Sequence, residues 1–265
     1  MRYEKIVDGH PQLCIQVSES MGRASESTAR MTQYLEQFDE LLSLLPGLRL
    51  QCQPLFQWHD RNSASWAFER HRILHSLHEM LMRDAKASFE ACDYAAADAQ
   101  LKRAVDVCKQ LVVTNTWYKT PMVVGMPEVQ PEYLLALLFR TFGTKCFNCH
   151  MKKSNYKIAK TAYKFVELSN KVWKLGANEE YATKILAHYH HAVATHHDSS
   201  EAEEKDFKHI ISHSTAAVNL LQDPKMVEDH AQWVTANDTV YFETPEDVPC
   251  QVMALDTAMQ LCFKD

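Results

Sequence analysis

Glycine is scarce, at six residues in a chain of 265, about 2% where soluble proteins use roughly 7%. Folds built on tight turns, phosphate-cradling loops or backbone laid close to a cofactor need many positions without a Cβ, and this chain has few. The corresponding motifs are missing as well: there is no Gly-x-Gly-x-x-Gly, no Walker lysine loop and no Gly-x-Ser-x-Gly, and His78-Glu79 lacks the second histidine of a zinc protease. Together these absences argue against an enzyme. No stretch approaches the roughly 18 apolar residues of a membrane span, and no apolar run follows Arg2, so neither a span nor a secretory leader is expected and the chain reads as cytoplasmic. Positive charge is in deficit too. With 28 basic and 34 acidic residues the net charge is -6, which excludes a protein whose whole surface grips nucleic acid. The eight cysteines are scattered through apolar stretches of a long chain and read as reduced thiols, not as a disulfide framework.

What the chain has is helical periodicity. Apolar residues recur at helical spacing over Ser20 to Leu45, stopped by Pro46-Gly47, and over Ser65 to Ala91, whose wide stripe includes Trp66, Phe68, Ile73, Leu74, Leu77, Met80 and Leu81. A third helix, Tyr94 to Val113, follows so closely that the two must form an antiparallel hairpin. Pro131 opens a helix to about Met151 at the position where a missing amide proton costs nothing. Helices over Asn155 to Leu175, Asn178 to His197 and Glu201 to Leu221 complete the series, each joined to the next by a short link. The first fifteen residues alternate weakly and suggest a short edge strand. Leu48 to Trp58 also alternates, with Pro54 favouring an extended linker or edge strand. From Asn237 to Pro249 the prolines forbid regular helix, so this segment is expected to lie as an extended strap. The fold class is therefore all-α, one domain over 1–265, read as a curved antiparallel solenoid of tetratricopeptide-like hairpins without a fixed repeat.

Three constellations carry candidate chemistry. Cys146-Phe-Asn-Cys149-His150 is a literal Cys-x-x-Cys-His, the spacing that attaches c-type haem; the alternatives are a zinc or redox pair, or buried thiols. His188-Tyr-His190-His191 and His196-His197 put five histidines in ten residues, with His188 and His191 one helical turn apart as two metal ligands would be; the other reading is a hydrogen-bonded helix face, and no metal site is assigned. Residues 145–174 hold eight lysines against the single acid Glu167, a local balance of +7 that leaves -13 for the rest of the chain. Lys153, Lys157, Lys160 and Lys164 share one helix face and Ile158, Ala162, Phe165 and Val172 another, so this helix is either a solvated outer face over a core or a patch for anionic lipid or an acidic partner.

The order of segments resembles the Bro-one domain, the helical domain of Alix-like proteins in the ESCRT endosomal sorting pathway. The resemblance runs through Tyr34-Leu-Glu-Gln-Phe-Asp-Glu-Leu-Leu42, Leu55-Phe-Gln-Trp-His-Asp60, Ser65-Trp-Ala-Phe-Glu-Arg-His-Arg-Ile-Leu74, the Asp93 to Leu111 helix, Gln130-Pro-Glu-Tyr-Leu-Leu-Ala-Leu-Leu138, Ile158-Ala-Lys160 and Asn237-Asp-Thr-Val-Tyr241. It implies a compact, monomeric, non-catalytic scaffold without cofactor, whose concave face docks an amphipathic helix, typically of an ESCRT-III subunit, and whose basic face meets endosomal membrane. The expected partner anchors are Phe147, Met151, Ile158, Ala162 and Phe165, and the expected membrane patch is Lys153, Lys157, Lys160 and Lys164. Where the family places an aromatic residue followed by two aliphatics a turn apart, this chain offers Cys146 or Phe147, then Lys157 or Ile158, then Thr161 or Ala162. Phe139-Arg-Thr-Phe-Gly-Thr-Lys-Cys146 also replaces the family's Gln- and Ala-rich stretch.

Overall fold

Helices of nine to twenty-five residues dominate the computed structural model, which describes residues 11–44, 55–59, 61–63, 65–115, 125–175, 179–199, 206–237 and 253–264. Among these, ten α-helices follow in order: α1 (Pro11–Arg23), α2 (Thr28–Leu44), α3 (Trp66–Glu90), α4 (Tyr94–Thr114), α5 (Pro131–Lys153), α6 (Tyr156–Val172), α7 (Glu179–Asp198), α8 (Phe207–Leu220), α9 (Pro224–Ala236) and α10 (Leu255–Phe263). A two-stranded antiparallel ribbon, β1 (Phe56–Trp58) and β2 (Arg61–Ser63), precedes α3, pairing Phe56 with Ser63 and Trp58 with Arg61. The chain divides into two compact units, residues 1–135 and 136–265, with the boundary inside α5.

In the first unit α2, α3 and α4 pack antiparallel. Thr28 meets Asp84 and Asp39 meets Arg70 across α2 and α3, and Arg70 meets Gln110 and Ser88 meets Gln100 across α3 and α4, so partners fall along one helix as they rise along the next. The α3–α4 turn is tight because Cys92 takes a left-handed φ of 59°, letting the amides of Cys92 and Asp93 reach back to the carbonyls of Phe89 and Ser88. Asp93 then caps α4 by accepting from the Ala96 amide. Phe38, Phe56 and Trp66 form an aromatic cluster with ring centroids 5.3–6.3 Å apart, which seats the β-ribbon on the helices. Glu69 is only 2% exposed, and its carboxylate accepts a bidentate pair from Arg72 at 2.8 and 2.6 Å and the Tyr34 hydroxyl at 2.7 Å.

In the second unit α5 through α9 continue the antiparallel order, with Ala136 opposite Ser169, Tyr163 opposite Tyr189, His190 opposite His213 and Ser214 opposite His230. Ser154 (φ 48°) and Asn155 turn the chain between α5 and α6, and the Asn155 side chain accepts from the amides of Lys157 and Ile158. Asp206 and Asp223 cap α8 and α9 in the same manner.

The all-helical expectation holds apart from the small ribbon, and the boundaries of α3 to α7 fall within a few residues of those read from periodicity. Residues 11–15, expected as part of an edge strand, instead open α1, with Pro11 at its first position. The helix expected over Ser20 to Leu45 is broken by a 3₁₀ turn at Ala24–Glu26 that separates α1 from α2. Two helices were not anticipated. Pro224 starts α9 behind its Asp223 cap, just past the helix expected to end at Leu221, and α10 lies beyond the segment expected as a strap. The strap itself, 238–249, and residues 1–10 lie outside the described residues.

Candidate functional site

The helix pair α5–α6 carries most of the residues singled out by sequence. Gly143 lets the two helices approach closely: a Cβ there would stand 3.2 Å from the Ala162 carbonyl oxygen and from side-chain atoms of Phe165 and Val166. Around this contact Ala159, Ala162, Phe165, Val166, Leu168 and Ser169 turn inward, the Ser169 hydroxyl donating to the Ala136 carbonyl at 2.7 Å. Opposite them, Lys157 and Lys160 are exposed and Lys164 half-buried; Lys153, expected on the same helix face, is exposed at the end of α5 instead, because the Ser154 turn separates it from α6. Among the described residues, none of these four ammonium groups lies within 4 Å of a carboxylate. The basic face is thus a set of like charges without internal neutralisation, whose field extends into solvent for about a Debye length, roughly 8 Å at physiological salt.

The five expected anchors separate into two groups. Phe147, Ala162 and Phe165 are 0–1% exposed and belong to the core, which corrects their assignment as groove-facing residues. Phe165 packs on Phe139 and Phe142, and Phe147 sits edge-on to Tyr181 and against His188 with centroids 5.9 and 5.2 Å away. Helix α7 is what covers Phe147, and the pattern of α5 on its own could not reveal that. Met151 and Ile158 are half-buried and flank the α5–α6 turn, so they are the two anchors with surface to offer.

The Cys-x-x-Cys-His segment lies in the last turns of α5. Burial pushes the Cys146 thiol up to about 12, nearby Lys145 opposing and Cys149 and Cys262 adding to the rise, so the group is a thiol and not a metal-ready thiolate at neutral pH. His150 is buried, and its Nδ1 donates to the Asn155 carbonyl at 3.1 Å, tying the end of α5 to the start of α6. Burial lowers the pKa of His150, with the Asn155 contact partly offsetting. Lys145 also stands 5.6 Å from the centroid of Phe142.

The histidines of α7 point to different neighbours. His188 lies against Phe147 and His150, whereas His191 Nε2 contacts Asp229 Oδ2 of α9 at 2.8 Å, so the two residues a helical turn apart do not converge on one point. His190 pairs with His213 of α8, Nδ1 to Nδ1 at 2.9 Å. Among the described residues no three His, Cys, Asp or Glu side chains are arranged to hold a metal ion. The His190–His213 contact between α7 and α8 escaped sequence reasoning, although a signal was present: His209 and His213 are spaced i, i+4 in the helix after the histidine-rich one, and a short antiparallel link brings such faces together.

Fold and site define a mostly helical protein with one lysine-rich helix face and a histidine-lined helix contact. No family model, curated protein or solved structure matches the chain. Among the described residues no helix is long and apolar enough to cross a membrane.

Proposed function

We propose that the chain is a non-catalytic, Bro-one-like scaffold, a monomeric solenoid that docks a partner helix beside the α5–α6 turn and rests its lysine face on anionic membrane. The observation that carries this reading is the uncompensated row Lys157, Lys160 and Lys164 on α6, opposite that helix's fully packed core face, with exposed Lys153 at the end of α5. A row that served only to solvate the helix would gain from interspersed carboxylates, and the one acid in this stretch is Glu167. Near an anionic surface each lysine contributes about 1 kcal/mol, so four acting together support reversible recruitment to endosomal membrane, not permanent anchoring. Met151 and Ile158 supply apolar contacts for an amphipathic helix of the ESCRT-III type, whose anchors recur at i, i+3 or i+4, and i+7.

Vesicle flotation tests the membrane half. The parent should float with phosphatidylserine-containing vesicles, lose binding as salt rises and ignore phosphatidylcholine, and the variant with all four lysines changed to Glu should stay at the bottom while keeping its helical circular dichroism. Equal flotation of that variant refutes the lysine face as the membrane contact. For the docking half, fluorescence anisotropy with a labelled amphipathic ESCRT-III helix should show binding to the parent and a loss of tenfold or more, about 1.4 kcal/mol, with Ile158→Asp. An unchanged affinity for this variant removes the α5–α6 turn from the proposal.

A further inference from the structure

A continuous file of imidazoles runs along the contact between α7 and α8. His190 Nδ1 and His213 Nδ1 are 2.9 Å apart, with ring centroids separated by 5.0 Å. From His213 the file passes to His209 at 4.5 Å and on to His197 at 4.5 Å, back on α7. His196 follows at 5.7 Å and is stacked on Tyr156 of α6 at 4.2 Å. His213 is 4% exposed, and below it Ala194, Ile210, Ile211 and Trp233 form a buried apolar cluster.

The geometry of the His190–His213 pair dictates its protonation. Between two imidazole nitrogens one ring must donate an N–H and the other must accept with a lone pair. A first added proton leaves this possible, since an imidazolium still donates to a neutral ring. A second makes both nitrogens donors, and the bond becomes a repulsion.

The surroundings offer little to offset that charge. The groups acting on His213 are the imidazoles of His190, His209 and His197, with no carboxylate among them. Elsewhere along the seam Asp229 of α9 holds His191, the Ser214 hydroxyl meets His230 of α9 at 2.7 Å, and Asp206 at the start of α8 acts on His197. His188, facing α5, is influenced by His150, Lys184 and Asp223. Asp198 and Lys208 are the sequence neighbours of His197 and His209, at the end of the file remote from His190. From α6 the seam meets the neutral rings of Tyr156 and Tyr163, the latter stacked on Tyr189. Counter-charge therefore lies on the flanks, and the centre of the seam has none.

We propose that this seam is an acid-sensitive latch, which holds α7 on α8 while the His190–His213 pair is neutral and releases the two helices when His190 and His213 both take up protons. Burial lowers the pKa of both residues, and with the adjacent imidazoles it brings His213 to about 3. The folded form therefore binds fewer protons than the unfolded one below the ordinary histidine value of 6.5, so stability is full above that value and declines as pH falls. A histidine kept neutral at about pH 5 against an unfolded value of 6.5 lowers the folding equilibrium constant about thirtyfold. Release of α7 from α8 would uncover Ile210, Ile211 and Trp233, turning a buried seam into an apolar surface.

The test compares urea unfolding of the parent and of a His190→Gln/His213→Gln variant at about pH 7.5 and about pH 5, with exposed His59→Gln as the control. Gln retains hydrogen-bonding capacity but does not titrate. The double variant should lose at least about tenfold less of its folding equilibrium constant on acidification than the parent and the control, because His71, His75 and His188 still contribute their share in all three. An identical acid loss in the double variant overturns the latch. The imidazole nitrogen resonances of the parent give a reading that requires no folded variant. His213 should remain neutral through about pH 5, with one ring of the pair protonated at Nδ1 and the other at Nε2 only; two rings titrating freely near 6.5 would equally overturn it.

Discussion

Replacing Phe147 separates a core residue from a docking anchor more sharply than any other change on α5. Its ring is 1% exposed and enclosed by Tyr181, His188 and His150, at centroid distances of 5.9, 5.2 and 6.3 Å. Truncation to Ala removes the whole ring from a site whose walls belong to α5 and α7, and two packed helices cannot collapse into the space without losing contacts elsewhere. The expected cost is about 3–5 kcal/mol. Ile158, one helix later and half-buried, offers the contrast. Its replacement by Asp leaves the new carboxylate at the surface beside Lys157, and should cost no more than about 1 kcal/mol. Urea unfolding followed by circular dichroism at the helix band, with the slope checked for constancy, measures both. Phe147→Ala should show a midpoint well below the parent and Ile158→Asp one close to it. A Phe147→Ala variant within about 1 kcal/mol of the parent would refute the packing argument and return Phe147 to the list of surface anchors.

Two further outcomes follow from buried groups. Glu69→Ala should destabilise by about 3 kcal/mol in the same urea assay, since it removes the buried carboxylate that accepts from both Arg72 and the Tyr34 hydroxyl, while Tyr34→Phe should cost only about 1 kcal/mol; near-equal values would mean that the carboxylate contributes nothing beyond that one hydrogen bond. Alkylation with iodoacetamide at neutral pH, mapped by mass spectrometry, should modify exposed Cys92 at least about tenfold faster than Cys146, whose thiol is pushed up to about 12; comparable rates would contradict the burial of Cys146.

Much of the helical layout was legible in the chain because it is local. The stripe on Ser65 to Ala91, the short link at Cys92-Asp93 and the proline at 131 act within a few residues, and periodicity, caps and link length report such interactions directly. The lysine face of α6 was legible for the same reason: with 3.6 residues per turn, the spacing of Lys157, Lys160 and Lys164 already sets them on one side. Pro224 shows the limit of local reading. A proline is compatible both with the end of one helix and with the first turn of the next, and only the Asp223 side chain bonding two amides decides for the latter. What tertiary structure alone decided is which apolar and titratable side chains meet. Ile158 and Phe165 are equally apolar in sequence, yet Phe139 and Phe142 of α5 cover only the second. His188 and His191 look like one site on a helical wheel, yet α5 takes the first and α9 the second, while His190 finds its partner 23 residues away on α8. Helical spacing determines which residues share a face, and burial, hydrogen bonding and proton affinity depend on what is packed against that face by distant parts of the chain.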